Sequence, residues 1–383
     1  MIAAALPLTA LIAALAALAF VLDRKVPAFS RIGASLLTLI FGALVSNAGL
    51  VPVASPVYDA IAGPVTNLAI AWLLLSVNLG DMKKAGSRML GAYGLAVLGI
   101  VLGAFLGALA FAPALGEQTW RLAGVFAGTY TGGSLNFVAI GRGVGLPQEV
   151  WAGATAADAL TGGLWMAATL VAPLWLGRFF PPVPREFTEH PEGSAGDAVE
   201  HHPLFASARL SALDLAVLLA AGLALITAAD LTAKVVPQVP SVLWLTTYAL
   251  ILGHTRWFHR AEGAMQLGTM VLHLFFVVIG IWARVSEIVS VGAVVFLYTL
   301  TVVGVQGLVV YGGGRLLKFD IGSLSVASQA SVGGPSTALA VAVARDWPGL
   351  VLPGIIVGLL GYAGGSYLGF GVAYLVRGLG IGL

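Results

Sequence analysis

The sequence predicts an all-α protein that crosses a membrane many times, and three observations support this fold class. Hydrophobic residues make up 59% of the 383 residues and charged residues only 9%, whereas a soluble domain carries about a quarter charged residues. Apolar runs of about twenty residues, each long enough to cross a bilayer core, recur along the whole chain. The runs are continuous, which excludes the alternating pattern of a membrane β-barrel.

These runs form two sets of six segments separated by a polar stretch. The first set covers residues 3–22, 32–51, 58–80, 91–113, 119–146 and 148–177, and the second covers 211–230, 238–253, 263–283, 289–312, 319–346 and 349–376. The stretch between them is rich in acids, histidines and prolines and cannot bury a core. We therefore expect a first membrane repeat over 1–178, a cytoplasmic linker over 179–210 and a second repeat over 211–383.

Composition and missing motifs narrow the function classes. A net charge of +2 with scattered basic residues gives no indication of nucleic-acid binding, and the lack of cysteine excludes disulfides and thiolate metal sites. No P-loop, HExxH or GxSxG motif occurs. We therefore expect neither enzymatic activity nor an organic cofactor. The first apolar segment lacks a charged n-region and is interpreted as a retained helix, not a cleaved signal peptide.

Two glycine pairs interrupt the apolar segments. TGGSLN spans residues 131–136 and VGGPST spans 332–337, and aligning the glycine pairs gives an offset of 201. Two other landmarks repeat at offsets of 203 and 202, which predicts an internal repeat. Adjacent glycines favour a helix break, and broken backbone at membrane depth persists only where protein or water surrounds it.

The distribution of the nineteen Lys and Arg residues distinguishes two possible membrane topologies, both with the N-terminus outside. Twelve crossings would place ten of them in the cytoplasm and nine outside. If 119–146 and 319–346 each enter and return on one side, fourteen are cytoplasmic and five external, namely Arg121, Arg142, Lys234, Arg284 and Arg377. The positive-inside rule favours these hairpins. Each half then has five spans and one hairpin, so the two repeats are inverted. A single interrupted crossing is the alternative.

The two glycine pairs are the predicted substrate-binding tips. Half-helix N-termini there present N–H groups to a carboxylate, and freed carbonyl and hydroxyl oxygens suit Na⁺. The predicted residues are Thr131, Gly132, Gly133, Ser134 and Asn136 in the first tip, and Gly333, Gly334, Pro335, Ser336 and Thr337 in the second. The competing interpretation is helix packing, because Gly124, Gly128 and Gly132 are spaced by four, as are Gly99, Gly103 and Gly107.

Asp158 is the one acid well inside a predicted span, where an ionisable group is costly and indicates function. Thr155 and Thr161 flank it on the same helical face. We expect these three residues, with Gln329 and Ser331 before the second tip, to couple a cation. The alternative is a structural role for Asp158, with Arg142 as its partner.

Three stretches also carry a family resemblance: GTYTGGSLNFVAIGR, ATAADALTGGLW and ASQASVGGPSTALAVAVAR. They resemble the YjcL-like bacterial membrane proteins, a family similar in plan to the glutamate:sodium, citrate:sodium and bile acid:sodium symporters. The resemblance implies an elevator mechanism, in which a substrate-carrying core slides against a scaffold, commonly in a homodimer. No residue match names a substrate.

The expected function is therefore sodium-coupled secondary transport of a small, carboxylate-bearing organic solute across the bacterial inner membrane. The expected partners are the solute, membrane lipid and a second copy of the chain, and no nucleic acid. An ion exchanger of the sodium/proton type and a passive channel are the alternatives.

Overall fold

The computed structural model describes residues 2–382 except 3, 27–28, 30–33, 53, 78–79, 81, 189–210, 256–257, 259–262 and 283–284. For residues 82 and 285–291 it describes the backbone alone. This part of the chain is predominantly α-helical and contains no strand, which confirms the all-α prediction. Eight of its helices are long and apolar enough to cross a membrane.

Thirteen helices organise the described chain. The first half holds α1 (Ala5–Lys25), α2 (Ala34–Asn47), α3 (Pro56–Leu75), α4 (Met82–Leu115), α5 (Gln118–Gly132), α6 (Ser134–Gly143) and α7 (Gln148–Leu176). The second half holds α8 (Ala212–Val235), α9 (Ser241–Gly253), α10 (Ala264–Trp282), α11 (Val285–Leu316), α12 (Ile321–Ala344) and α13 (Pro348–Gly378). Helix α3 contains a distorted turn at Gly63-Pro64, and α4 has a kink at Gly86.

Helices α2 and α9 are shorter than the sequence predicts. They contain 14 and 13 residues, whereas the apolar runs cover 32–51 and 238–253. At 1.5 Å per residue they extend about 21 and 20 Å, less than the bilayer core of about 30 Å. Apolar composition predicted where these helices lie, but a turn at Gly49, with a positive φ of 70°, follows the early end of α2, and a turn before Ser241 delays the start of α9.

The first glycine pair ends one helix and starts another. Gly133 separates α5 from α6 and has φ 90° and ψ −172°. The two helices fold back on each other, because Arg121 Nε donates to the Val144 carbonyl at 3.2 Å and the rings of Phe126 and Phe137 lie 6.2 Å apart. Helices α5 and α6 thus form a hairpin, called hairpin 1, with its tip at Gly133.

The second glycine pair interrupts α12 in the same way. Gly334 has φ 79° and ψ −168°, close to the conformation of Gly133. The Thr337 hydroxyl donates to the carbonyl of Gln329, eight residues earlier, at 3.3 Å. In a straight helix these residues would be about 12 Å apart along the axis. Residues 321–333 and 335–344 are therefore the two arms of a second hairpin, called hairpin 2.

Glycine stripes allow the closest helix packing in the described chain. Gly99 and Gly103 of α4 face the backbones of Gln306 and Val302 on α11, and Gly107 faces the Tyr298 ring. This confirms the packing interpretation for the α4 glycines. Helix α5 uses the same device against α13: Gly124, Gly128 and Gly132 lie against Gly369, Gly365 and Gly361.

The helices form two groups. Helices α1–α3 pack mainly with α8–α10, and α4–α7 pack mainly with α11–α13, which include both hairpins. Contacts between the groups include the perpendicular rings of Trp151 and Phe275, 5.4 Å apart, and the bond from Arg142 to Asn67. The start of the predicted linker, a helical turn at Arg185–Thr188, packs against Gly349 of α13. Residues 189–210 of that linker lie outside the described residues.

Substituting Gly103 by Ala should lower the thermal-unfolding midpoint of the purified protein in detergent. A Cβ there would lie 2.6 Å from the Val302 carbonyl oxygen, and overpacking of this kind costs about 1–3 kcal/mol. Gly94→Ala in the same helix is the control, since no atom lies within 4 Å of its Cβ position. That control should keep or slightly raise the midpoint through better helix propensity. Equal midpoints for the two variants would contradict the described α4–α11 interface.

Candidate functional site

The tips of the two hairpins meet backbone to backbone. A Cβ placed on Gly133 would lie 3.7 Å from the Gly334 Cα, and one placed on Gly334 would lie 3.7 Å from the Gly132 carbonyl oxygen. The Tyr362 ring of α13 lies 3.5 Å from both Cβ positions. The positive φ with extended ψ at both glycines is a backbone region essentially restricted to glycine. Two helices, α6 and the arm 335–344, therefore start beside the same contact.

In the first tip, most predicted residues are engaged in structure. The Thr131 hydroxyl donates to the Ala127 carbonyl at 2.7 Å, and the Tyr93 hydroxyl donates to the Thr131 carbonyl. Asn136 donates from Nδ2 to the Gly361 carbonyl at 3.0 Å and accepts from the Ser366 hydroxyl at 2.8 Å. Asn136 thereby ties hairpin 1 to α13.

Gly132 and Ser134, also in the first tip, differ in whether they are free to contact a ligand. Gly132 has no room for a side chain, because Gly361 of α13 occupies the space. The Ser134 hydroxyl, half-buried at the start of α6, makes no hydrogen bond within the described part of the chain. Of the predicted side chains of this tip, the Ser134 hydroxyl is therefore the one free to meet a ligand.

The second tip has an unsatisfied donor beside it. Gln329 accepts from the Thr169 hydroxyl at 3.1 Å through Oε1, but its Nε2 has no hydrogen-bond partner although the residue is only 1% exposed. This Nε2 lies 2.8 Å from the position of a Cβ on Gly333. Leaving a buried donor unpaired costs about 1–3 kcal/mol. An acceptor atom of a ligand at the tip would remove that cost.

The remaining predicted residues near the second tip differ in whether they have hydrogen-bond partners. Pro335 packs against Gly358 of α13, and Thr337 donates to the Gly334 carbonyl at 3.1 Å as well as to Gln329. Ser336 is exposed and makes no hydrogen bond among the described residues. Ser331 donates to the Ser328 carbonyl at 2.9 Å and accepts from the Gln306 amide at 3.2 Å.

Asp158 belongs to a separate polar cluster. Its carboxyl group is close to the hydroxyl of Tyr130 on α5, near the hydroxyls of Thr161 and Thr299, which are 2.7 Å apart. Tyr130 is fully buried, yet no group meets hydrogen-bond geometry with its hydroxyl. We call Tyr130, Asp158, Thr161 and Thr299 the oxygen cluster; it joins α5, α7 and α11.

The structure thus separates the predicted ion-coupling residues into two places. Asp158 and Thr161 lie in the oxygen cluster, whereas Gln329 and Ser331 lie beside the second tip. Thr155 donates to the Trp151 carbonyl of its own helix at 2.8 Å. Arg142, the alternative partner of Asp158, donates instead to the Gly63 carbonyl and Asn67.

Sequence reasoning missed three residues of these sites. Tyr130 lies inside the GTYTGGSLN motif, where the aromatic residue beside the glycine pair was an available signal. Tyr362 stands two residues before Gly364-Gly365, which offered a weaker signal of the same kind. Thr299 lies in an ordinary apolar stretch, and only the packing of α11 on α7 brings it to Thr161.

The long apolar helices, the paired hairpins and the buried polar clusters define a polytopic α-helical integral membrane protein. Residues 10–379 match the family described as "Protein of unknown function (DUF819)", and the chain belongs to that family. It is 29% identical over 374 residues, 94% of this chain and 93% of the relative, to the "Uncharacterized membrane protein YjcL" of Bacillus subtilis (strain 168). The resemblance to YjcL-like proteins is confirmed, and the wider similarity to sodium symporters stays a prediction.

Tyr130→Phe should leave the thermal-unfolding midpoint unchanged or raise it when measured in a buffer whose only cation is choline. The substitution removes a buried hydroxyl that makes no hydrogen bond of regular geometry with the nearby Asp158, Thr161 or Thr299, so little stabilisation is lost. Thr161→Val is the comparison, because it breaks the 2.7 Å bond to Thr299 and should cost about 1 kcal/mol. A loss for Tyr130→Phe as large as that for Thr161→Val would show that the tyrosine hydroxyl has a partner.

Proposed function

We propose that this protein is a cation-coupled secondary transporter of a small, carboxylate-bearing organic solute. The observation that carries the proposal is the meeting of two helical hairpins at Gly133 and Gly334, which share one glycine-specific conformation. Interrupted helices that meet within the membrane are a recurring substrate site of secondary transporters. A receptor or scaffold would have no use for two such costly breaks.

The donors around the tips favour an anionic solute. The N-termini of α6 and of the arm 335–344 carry partial positive charge and unpaired N–H groups. The unpartnered Gln329 Nε2 and the Ser134 hydroxyl add donors near the same contact. A carboxylate accepts from several donors at once, so it matches this set better than an ammonium group does.

The oxygen cluster is the proposed coupling site. It offers one carboxylate and three hydroxyl oxygens, hard ligands whose single negative charge suits a monovalent cation. We favour Na⁺ over H⁺, because the hydroxyl oxygens of Tyr130, Thr161 and Thr299 beside Asp158 could all coordinate a bound ion, whereas a proton needs only the carboxylate. The cation would stabilise the junction of α5 and α7, and α5 ends at the first tip.

We also propose how the protein moves during transport and how it lies in the membrane. The separate packing of α1–α3 with α8–α10 supports a scaffold, and the hairpin-bearing group supports a core that moves in an elevator mechanism. The similar order of helices in the two halves supports an internal repeat, and the proposed inversion requires that the short helices α2 and α9 also cross the membrane. A homodimer in the bacterial inner membrane, with the N-terminus outside, completes the proposal.

An ion exchanger is the second candidate, and the oxygen cluster is the observation that favours it. Its half-buried Asp158 alone would suffice to bind a cation without any organic solute. The unpartnered donors at the tips are left without a role in that case. Solute binding therefore separates the two candidates.

Thermal unfolding of the purified protein against a panel of carboxylates, with NaCl or choline chloride, tests the transporter proposal. At least one carboxylate should raise the midpoint in a Na⁺-dependent manner, and the labelled compound should enter proteoliposomes. Gly133→Ala should abolish its binding, because the conformation at Gly133 is strained for any other residue. Gly364→Ala, where no atom lies within 4 Å of the Cβ position, should retain binding. Stabilisation by Na⁺ alone, with no carboxylate ever binding, would favour the exchanger.

Asp158→Asn should remove the stabilisation by Na⁺ while the midpoint in choline stays within a few degrees. The amide keeps the shape of the side chain but lacks the charge that attracts the cation. Glu149→Gln is the matched control, since Glu149 is an exposed acid in the first turn of the same helix. Stabilisation by Na⁺ that persists in Asp158→Asn would place the coupling ion elsewhere.

A further inference from the structure

A cavity lies at the base of hairpin 1, away from its tip. Its volume is about 300 Å³, at the lower end of the range for small-molecule sites. On one side are Asp59 and Gly63 near the distorted turn of α3, and on the other are Arg142 and Gln148. Nine residues separate Arg142 from Gly133, so α6 places the cavity about 14 Å from the tip.

Only one of the three guanidinium nitrogens of Arg142 makes hydrogen bonds within the described part of the chain. Its Nη1 donates to the Gly63 carbonyl at 2.7 Å and to Asn67 Oδ1 at 2.6 Å. Its Nε and Nη2 make no hydrogen bond, and the side chain forms no ion pair, within the described part of the chain. The side chain is half-buried, so its charge is partly desolvated; Asp230 acts on it electrostatically, but the two form no ion pair among the described residues.

Such a guanidinium is a prepared site for a carboxylate. Arg binds planar anions through two parallel N–H groups, and the Nε–Nη2 edge offers such a pair. The acceptors on Nη1 fix the plane of the group, which lowers the entropy lost when a ligand binds.

Three aromatic rings line the cavity; Trp282 is half-buried, whereas Trp151 and Phe275 are only 4% and 1% exposed, so Trp282 offers most of the apolar surface. Trp151 and Phe275 are perpendicular at a centroid distance of 5.4 Å, and Phe275 and Trp282 are nearly so at 6.4 Å. Edge-to-face contacts of this kind fix each ring against its neighbour. This lining therefore suits a flat apolar body better than a flexible polar one.

The negative charge of Asp59 opposes the binding of an anion, so removal of this charge should strengthen binding. Asp59 lines the same cavity and is exposed, and it forms no ion pair with Arg142. Its negative charge repels an anionic ligand through solvent, an effect of modest size.

We propose that this cavity binds a small organic anion with a flat apolar body, its carboxylate on Nε and Nη2 of Arg142. This site is distinct from the hairpin tips and does not depend on the transport proposal. The anion would bind in this cavity whether or not a solute binds at the hairpin tips, Gly133 and Gly334.

Benzoate is the probe, benzamide is its neutral control, and the readouts are tryptophan fluorescence and thermal unfolding of the full chain in detergent. Benzoate should quench fluorescence and raise the midpoint, and benzamide should do neither. Arg142→Gln should weaken benzoate binding by at least about tenfold, because charge-assisted hydrogen bonds are lost. Asp59→Asn should strengthen it by about two- to fivefold, because a repulsive charge is removed.

Two control variants test whether the effect on benzoate binding is specific to the cavity. Arg121→Gln removes a positive charge that bonds the Val144 carbonyl at the same end of hairpin 1, and it should leave benzoate affinity unchanged. Gly133→Ala should also leave it unchanged, and benzoate binding that disappears in this variant would place the anion at the tips and overturn the proposal. Equal binding of benzoate and benzamide, or weaker binding in Asp59→Asn, would overturn it as well. If Arg142→Gln does not fold, Asp59→Asn and the benzamide comparison decide the question.

Discussion

The absence of water in the hydrocarbon core governs this structure, because every backbone group freed by a broken helix must find a partner inside the protein. Tyr93 of α4 donates to the Thr131 carbonyl at the first break, and α13 packs against both tips. Its Gly361 carbonyl accepts from Asn136, its Ser366 hydroxyl donates to the same amide, and its Tyr362 ring covers both tips. The glycines of α13 let hairpin 1 approach closely enough for these contacts. One helix thus stabilises two interruptions that would otherwise be unfavourable in lipid.

Structural and functional polar groups are distinguished here by whether their hydrogen bonds are complete. Asn136 and Thr131 have partners in the protein, so the energy of their burial is already offset. Gln329 and Tyr130 are equally buried but each leaves a polar atom unpaired. Such atoms are costly to bury, and the proposed solute and cation would complete their bonding.

The fold class and the two breaks could be predicted from sequence because both are local properties. Long apolar runs indicate spans, and Gly133 and Gly334 permit a conformation that other residues avoid. The partners could not be predicted, since they depend on which helix faces meet. Thr299 approaches Thr161 across 138 residues, and the Asn136 amide serves packing where its residue type suggested a ligand. The lengths of α2 and α9 were missed because hydropathy does not locate the turns that end a helix.

The bond between Asn136 and Gly361 joins residues 225 positions apart, and this separation has a consequence for biosynthesis. Hairpin 1 leaves the ribosome long before α13 exists, so its tip must wait in the membrane or at the insertion machinery without its principal partner. A chain truncated before α13 would expose the broken backbone and the polar side chains of the first tip. Formation of the native first tip therefore depends on contacts that become available only when α13 has been made.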